Sequence, residues 1–180
     1  MPDNSPAIEQ TKQWIKSVVI DCNFCPFAAR VYHQQTIRYQ VSAFTSVKDI
    51  LPLLQAEFEF MDEDPSIETA LLILTEGFSD FDEYLSLVKK AERQLAKAGY
   101  EGVYQLASFH PDYCFHGADE DDPANYTNRS PYPMLHLLRE DSISKALQFF
   151  PHPETIPEKN VSFARTKGLP YMQMLLSACK

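Results

Sequence analysis

The apolar run TALLILT at residues 69–75 restricts the fold of this chain more than any other stretch. Its length suits a strand better than a helix, and its lack of alternation indicates that both of its faces are buried. Residues 36–44 alternate apolar and polar side chains, as a half-buried strand does, and residues 102–109 form a third predicted strand. Residues 134–138 fit either a strand or a helix. The chain should therefore contain a sheet with residues 69–75 in its interior.

Helical patterns separate the predicted strands. One apolar stripe begins after Ser46 or Asp49, and the clearest helix covers residues 79–98, with Ser79 and Asp82 as a capping pair. Strands that alternate with helices of this length predict right-handed β-α-β units. We therefore expect an α/β fold with a small, mostly parallel sheet of three to four strands. A ferredoxin-like α+β arrangement is the structural alternative.

Additional helices are predicted at both ends of this unit. Ser5 and Pro6 are the residue types that begin a helix, and residues 141–178 carry further helix starts. We expect an N-terminal helix and extra C-terminal helices around the sheet. A length of 180 residues suits one folding unit, so the sequence predicts a single domain over residues 1–180.

The charge of the chain excludes several kinds of partner. The formal net charge is −9, and no cluster of Lys and Arg is present, so we expect no nucleic-acid partner. The same charge argues against binding to an anionic membrane surface. The chain begins with polar residues and contains no long apolar run, which predicts a cytoplasmic protein with reduced thiols. The sequence does not predict an oligomeric state.

The stretch at residues 108–140 concentrates side chains that take part in catalysis and binding. It follows the third predicted strand, and α/β sheets bind ligands beyond the carboxyl ends of their strands. His110 is the candidate general acid or base of this loop, and Asp112 is its candidate orienting partner. The sequence therefore predicts an active-site loop here.

Four side chains in the second half of the loop are candidates for substrate binding, namely Asn125, Tyr126, Asn128 and Arg129. The guanidinium group of Arg129 suits bidentate binding of a carboxylate or phosphate. The two amide groups suit orientation of that anion or stabilisation of developing negative charge. The structural alternative is that Arg129 neutralises the acidic run Asp119–Asp122 and that the asparagines bind backbone groups of the loop.

A metal site is a second interpretation of the same loop. His110, Asp112, Cys114 and His116 alternate along the chain, and an extended backbone would direct all four side chains to one side. These are ligand types for zinc and other divalent metals. Pro111 argues against this arrangement because it can bend the strand. The alternative is a polar loop with a hydrogen-bonded histidine. The sequence does not decide whether a divalent metal or another cofactor binds.

Cys22 and Cys25 form a C-x-x-C pair. In thioredoxin-like proteins this motif follows a strand, whereas here it follows a predicted helix, which weakens a redox interpretation. Pro26 would place the Cys25 sulfur at the start of a short helix through Val31, where free N–H groups lower the pKa of a thiol. The alternative for Cys25 is a small buried apolar residue. His136 is either a core histidine or the base that activates Cys25.

Three segments resemble a known family, namely NFCPFA at residues 23–28, LASFHPDY at residues 106–113 and NYTNRSPYPMLHLLRE at residues 125–140. They resemble the bacterial family called domain of unknown function 1415, and the likeness covers nearly the whole chain. The resemblance implies a stand-alone bacterial cytosolic protein and no particular activity. The family pattern contains Cys25, His110, Asp112, Asn128, Arg129 and His136. It does not clearly include Cys22, Cys114 or His116.

Three classes of function follow from these residues. The leading hypothesis is an enzyme that acts on a small anionic metabolite by acid–base chemistry, with metal assistance left open. His110 and Asp112 are its first catalytic candidates, and Cys25 and His136 are second candidates as nucleophile and base. The main alternative is a non-catalytic module that binds a metabolite or a protein. A thiol-redox protein is the third hypothesis.

Overall fold

The computed structural model describes residues 6–180. Its centre is a four-stranded sheet, made of β1 (Ile37–Ser42), β2 (Thr69–Leu74), β3 (Tyr104–Phe109) and β4 (Met134–Arg139). The strand order is β1-β2-β4-β3. β1 and β2 are parallel, and β4 is antiparallel to both of its neighbours. Every residue of β2 is buried, as its unbroken apolar run predicted.

Helices surround this sheet. They are α1 (Pro6–Trp14), α2 (Ala28–His33), α3 (Val47–Glu63), α4 (Phe81–Lys97), α5 (Glu140–Leu147), α6 (Ile156–Lys167) and α7 (Leu169–Ser177). A π-helical segment, Ile15–Ile20, continues α1 directly, and short 3-10 turns occur at Pro123–Thr127 and Pro153–Thr155. This arrangement confirms the predicted α/β class with extra C-terminal helices.

The sheet is mixed, so the expectation of a mostly parallel sheet is wrong. β1, β2 and β3 share one direction, and α3 and α4 connect them in order. β4 follows β3 through the loop at residues 110–133, which contains only a 3-10 turn. A parallel return needs a crossover that carries the chain back across the sheet. Without one, β4 runs antiparallel to β3 and fills the space between β2 and β3.

The two faces of the sheet support two separate cores. Alternate residues of β2 point to opposite sides, as strand geometry requires. Leu72 faces α3 and α4 and packs with Phe58 and Leu135, whereas Leu71 faces the terminal helices and packs in a cluster with Trp14. The first layer is therefore built by the β-α-β connections. The second layer depends on segments from both ends of the chain.

Several helices begin a few residues away from their predicted starts. The cap of α2 is Phe27, so the expectation that Cys25 caps this helix is wrong. Asp80 caps α4 with its side chain, in place of the predicted Ser79. The predicted cap at Ser5 lies outside the described residues. Within residues 6–180, no helix is both long and apolar enough to cross a membrane.

Candidate active site

A cavity of about 300 Å³ lies between the sheet and the second layer. Its floor is formed by the side chains of Thr69, Leu71, Ala107, Phe109, His136 and Leu138. The π-helical segment that follows α1 contributes Ile15 and Val19, and such segments are frequent at functional sites. α2 and α5 form the sides of the cavity, to which α2 contributes Ala28 and α5 contributes Ile143. The cavity is therefore mostly apolar, and its size is at the lower end of the range for ligand pockets.

His136 contributes an imidazole with a defined tautomer to this cavity. The Thr69 hydroxyl lies 2.5 Å from the Leu137 carbonyl oxygen and 2.6 Å from Nε2 of His136. Because the hydroxyl has one proton and donates it to the carbonyl, it accepts from Nε2–H. Within residues 6–180, Nδ1 has no hydrogen-bond partner, so its lone pair is available. Burial lowers the pKa of His136 to about 4, which keeps the ring neutral near pH 7.

Cys25 lies on the same cavity, just before α2. Burial raises the pKa of its thiol, and the N–H groups of Phe27 and Ala28 lower it by a smaller amount. The helix-terminus N–H groups therefore act on the thiol as the first interpretation of Cys25 predicted, but desolvation outweighs them and the net shift of the pKa is upward. All four cysteines are free, and Cys22 is buried. A thiolate at Cys25 would need a base to remove its proton.

The structure thus brings Cys25 and His136 to one cavity. They reach it from distant parts of the sequence, because β4 presents His136 on the face that α2 covers. Within the described part of the chain, no hydrogen bond joins the thiol to the imidazole. Catalytic hydrogen bonds are often long in ligand-free enzymes, so this separation is compatible with a shared reaction.

His110 lies outside the lining of this cavity and is fully buried. Its Nδ1 accepts a hydrogen bond from the backbone N–H of Asp112 at 3.0 Å, and its Nε2 donates to the Phe78 carbonyl at 2.9 Å. The ring packs against Phe81 and Tyr84. Burial lowers its pKa. Both ring nitrogens are engaged by the backbone, so His110 holds the loop and the start of α4 in place.

The candidate binding residues of the loop bind the loop itself. Asn125 is fully buried, and its amide accepts from the Phe115 N–H at 3.0 Å and donates to the Asp119 carbonyl at 2.8 Å. Asn128 donates to the Ser108 carbonyl at 3.3 Å. Tyr126 is buried beneath the Arg129 guanidinium, 4.6 Å from ring centroid to Cζ. The amide groups therefore satisfy the backbone of the loop, as the structural alternative proposed.

Arg129 likewise donates to backbone carbonyls, at 3.0 Å to Tyr113 and 2.9 Å to Glu120. Within residues 6–180, Arg129 does not pair with the carboxylates of the acidic run; in that run Asp122 binds Arg165, with 2.6 Å between the guanidinium nitrogen and the carboxylate oxygen. Arg129 also contributes its own carbonyl oxygen as the acceptor for the Trp14 indole N–H at 3.0 Å. This residue therefore ties the loop to the helix that borders the cavity.

The tract at residues 110–116 is not extended. A turn at Pro111 and Asp112 redirects the chain, and the side chains of Asp112 and His116 are exposed while His110 is buried. Cys114 points its thiol at the Ala118 carbonyl, 3.5 Å away. Among residues 6–180, no three His, Cys, Asp or Glu side chains converge as a metal site would require. The alternation needed for the four-ligand interpretation is therefore absent.

Comparison with known proteins identifies a family. A family model described as a protein of unknown function, DUF1415, matches residues 6–174. The chain belongs to this family. No curated protein and no solved structure matches the chain.

Several residues that line the cavity were not identified from the sequence. Thr69 appeared as the first residue of a strand, and its role depends on the register that places Leu71 opposite His136. Glu68, Arg30 and Lys145 appeared as ordinary charged residues, although Glu68 and Arg30 line this cavity and all three line a second cavity beside it. A polar residue at the start of an otherwise apolar buried strand was the available signal for Thr69. Arg30 lies in α2, Lys145 in α5 and Glu68 just before β2, and none of them carried a local signal.

We expect Arg129→Ala to lower the free energy of unfolding by about 2 kcal/mol, because two charged hydrogen bonds to loop carbonyls and the contact with Tyr126 disappear. Urea denaturation followed by circular dichroism measures this loss. Arg165→Ala is the matched control, because it removes an exposed arginine whose ion pair should contribute little. Equal stabilities for the two variants would contradict a structural role for Arg129.

Proposed function

We propose that this protein is an enzyme that acts on a small anionic metabolite by acid–base chemistry in the cavity described above. Cys25 would serve as the nucleophile and His136 as the general base. The observation that supports this assignment is that a thiol and an imidazole with a free Nδ1 line the same apolar cavity. This proposal moves the chemistry from the loop to the cavity.

The roles follow from the hydrogen bonds of His136. Thr69 fixes the Nε2–H tautomer, so Nδ1 can accept the proton of the Cys25 thiol. The thiolate sulfur would then attack an electrophilic carbon of the substrate. The N–H groups of Phe27 and Ala28, which favour the charged sulfur, would stabilise the thiolate. The apolar walls exclude water and so strengthen these interactions.

The loop residues have a positioning role in this proposal. His110 and Asp112 anchor the loop to the start of α4, and Asn125, Asn128 and Arg129 hold its shape. The loop in turn supports Trp14, which borders the cavity. These residues therefore act on the site through the second layer rather than through contact with a ligand.

A non-catalytic metabolite-binding module is the second candidate. It is favoured by the raised pKa of the Cys25 thiol and by the lack of a thiol–imidazole hydrogen bond within the described residues. A thiol-redox function has less support, because it needs Cys22 as well as Cys25 and Cys22 is buried.

We also propose that the protein works in the cytoplasm of a bacterium. Its four free cysteines are typical of a reducing compartment.

Acylation by p-nitrophenyl acetate tests the proposed function. The Cys25 sulfur should attack the ester carbonyl, p-nitrophenolate should leave, and mass spectrometry should find an acetyl thioester on Cys25. We expect His136→Gln to slow this step about a hundredfold, because it removes the general base. Cys114→Ala is the matched control and should acylate at the wild-type rate. Acylation that is absent, or that is unchanged in His136→Gln, would leave the binding module as the better function.

A further inference from the structure

A second cavity, called the mouth, adjoins the first one, called the inner chamber, and charged side chains make up a larger share of its lining. This second cavity of about 500 Å³ lies between α2 and α5 and shares Phe27, Arg30, Glu68 and Ser142 with the first. Its outer wall adds Lys145 of α5 and the apolar side chains of Pro26, Phe149 and Phe150. The two cavities adjoin along these shared residues and are together called the cleft. The part against the sheet is apolar, and the outer part, the mouth, carries charged side chains among apolar ones.

The mouth is positively charged in a chain that is strongly acidic as a whole. Two cations, Arg30 and Lys145, line it together with one carboxylate, Glu68, so the cations exceed the anions by one. Glu68 lies 3.6 Å from the Arg30 guanidinium and accepts a hydrogen bond from the Ser142 hydroxyl. Against a net charge of −9 for the chain, this excess of cations attracts anions locally. A single negative charge would neutralise it.

The apolar lining of the inner chamber favours a ligand with an apolar group. Leu71, Phe109 and Leu138 line it, and the polar Thr69 is already occupied by its bonds to Leu137 and His136. A strongly polar ligand would lose its hydration there without finding partners. An alkyl or aryl group of small size would instead bury its surface against these side chains.

We infer that the ligand of this cleft is a small amphipathic monocarboxylate. Its apolar body, which in a substrate also carries the electrophilic carbon, lies in the inner chamber near Cys25 and His136, and its carboxylate binds Arg30 and Lys145 at the mouth. This inference rests on the proposed function, because it uses the same cavity, and it names the class of substrate. A phosphate monoester carries more negative charge than the mouth neutralises, so a carboxylate fits better.

Trp14 provides the signal for the test, because it is the only tryptophan of the chain and lines the inner chamber. Its fluorescence should change when a ligand enters. The probes are octanoate, octanol and propionate, which separate the effect of the anion from that of the apolar body. We expect octanoate to bind at least about tenfold more tightly than octanol, as one charge-assisted contact allows, and propionate to bind more weakly than either.

Variants of the mouth locate the carboxylate. Arg30→Gln and Lys145→Gln should each weaken octanoate binding about tenfold and leave octanol binding unchanged. Glu68→Gln keeps the size and hydrogen bonding of the side chain but removes the competing charge, so it should tighten octanoate binding. Lys90→Gln, an exposed lysine of α4 on the opposite side of the sheet, is the matched control and should bind octanoate as the wild type does.

Equal affinities for octanoate and octanol would overturn the carboxylate inference, as would octanoate binding that survives both cation variants. A failure of octanoate to bind would overturn it as well. These outcomes are separate from the acylation test. Octanoate binding without acylation of Cys25 would support the ligand class and reject catalysis, whereas acylation without a preference for the anion would do the reverse.

Discussion

His110→Ala should lower the free energy of unfolding by about 3 kcal/mol. The substitution removes a fully buried ring that packs against Phe81 and Tyr84. It also leaves the Phe78 carbonyl and the Asp112 N–H without their partner. Phe78 has a φ of 52°, an uncommon conformation for a bulky residue, and the lost hydrogen bond helps to hold it there. Urea denaturation at neutral pH measures the effect.

His116→Ala is the matched control for this prediction. His116 lies in the same loop, but its side chain is exposed, so its replacement should change stability by less than about 0.5 kcal/mol. Similar stabilities for the two variants would show that His110 has no structural role. The acid–base hypothesis for His110 and Asp112 would then become the better explanation.

Lowering the pH from 7 to 4 should destabilise the protein by about 3 kcal/mol through His136 alone. Burial lowers the pKa of His136 from 6.5 to about 4 in the folded state. The unfolded chain therefore binds a proton near pH 6.5, whereas the folded chain does not. This contribution to stability is complete above pH 6.5 and is lost as the pH falls to about 4. His110, whose pKa burial also lowers, acts in the same direction.

Urea denaturation at several pH values between 4 and 8 tests this dependence. His136→Gln removes the titrating group and should flatten the curve between pH 4 and 6.5. His33→Gln replaces an exposed histidine and should follow the wild-type curve. A His136→Gln variant with the same slope as the wild type would mean that His136 is protonated equally well in both states. Its proposed role as an uncharged base at neutral pH would then lose its physical basis.

The cavity residues illustrate why the candidate site was harder to predict than the fold. Cys25 and His136 were identified from the sequence as a secondary pair, but the more prominent His110 and Asp112 received the leading role. His110 looks reactive in sequence because it stands beside Asp112 and Cys114. In the structure its nitrogens are taken by backbone groups, one of them from Phe78. Local composition cannot distinguish an available imidazole from one that the backbone already binds.

The sequence alone determined the α/β class, the position of β2 and the helices that follow β1 and β2, because these depend on periodicity over short windows. Tertiary structure decided the direction of β4, since pairing between strands is a long-range choice that no local pattern records. It also decided that Thr69 would fix the tautomer of His136 and that Arg30 and Lys145 would line the same cavity. These contacts join α2, β2, β4 and α5, and they exist only once the sheet register and the packing of the second layer bring distant residues together.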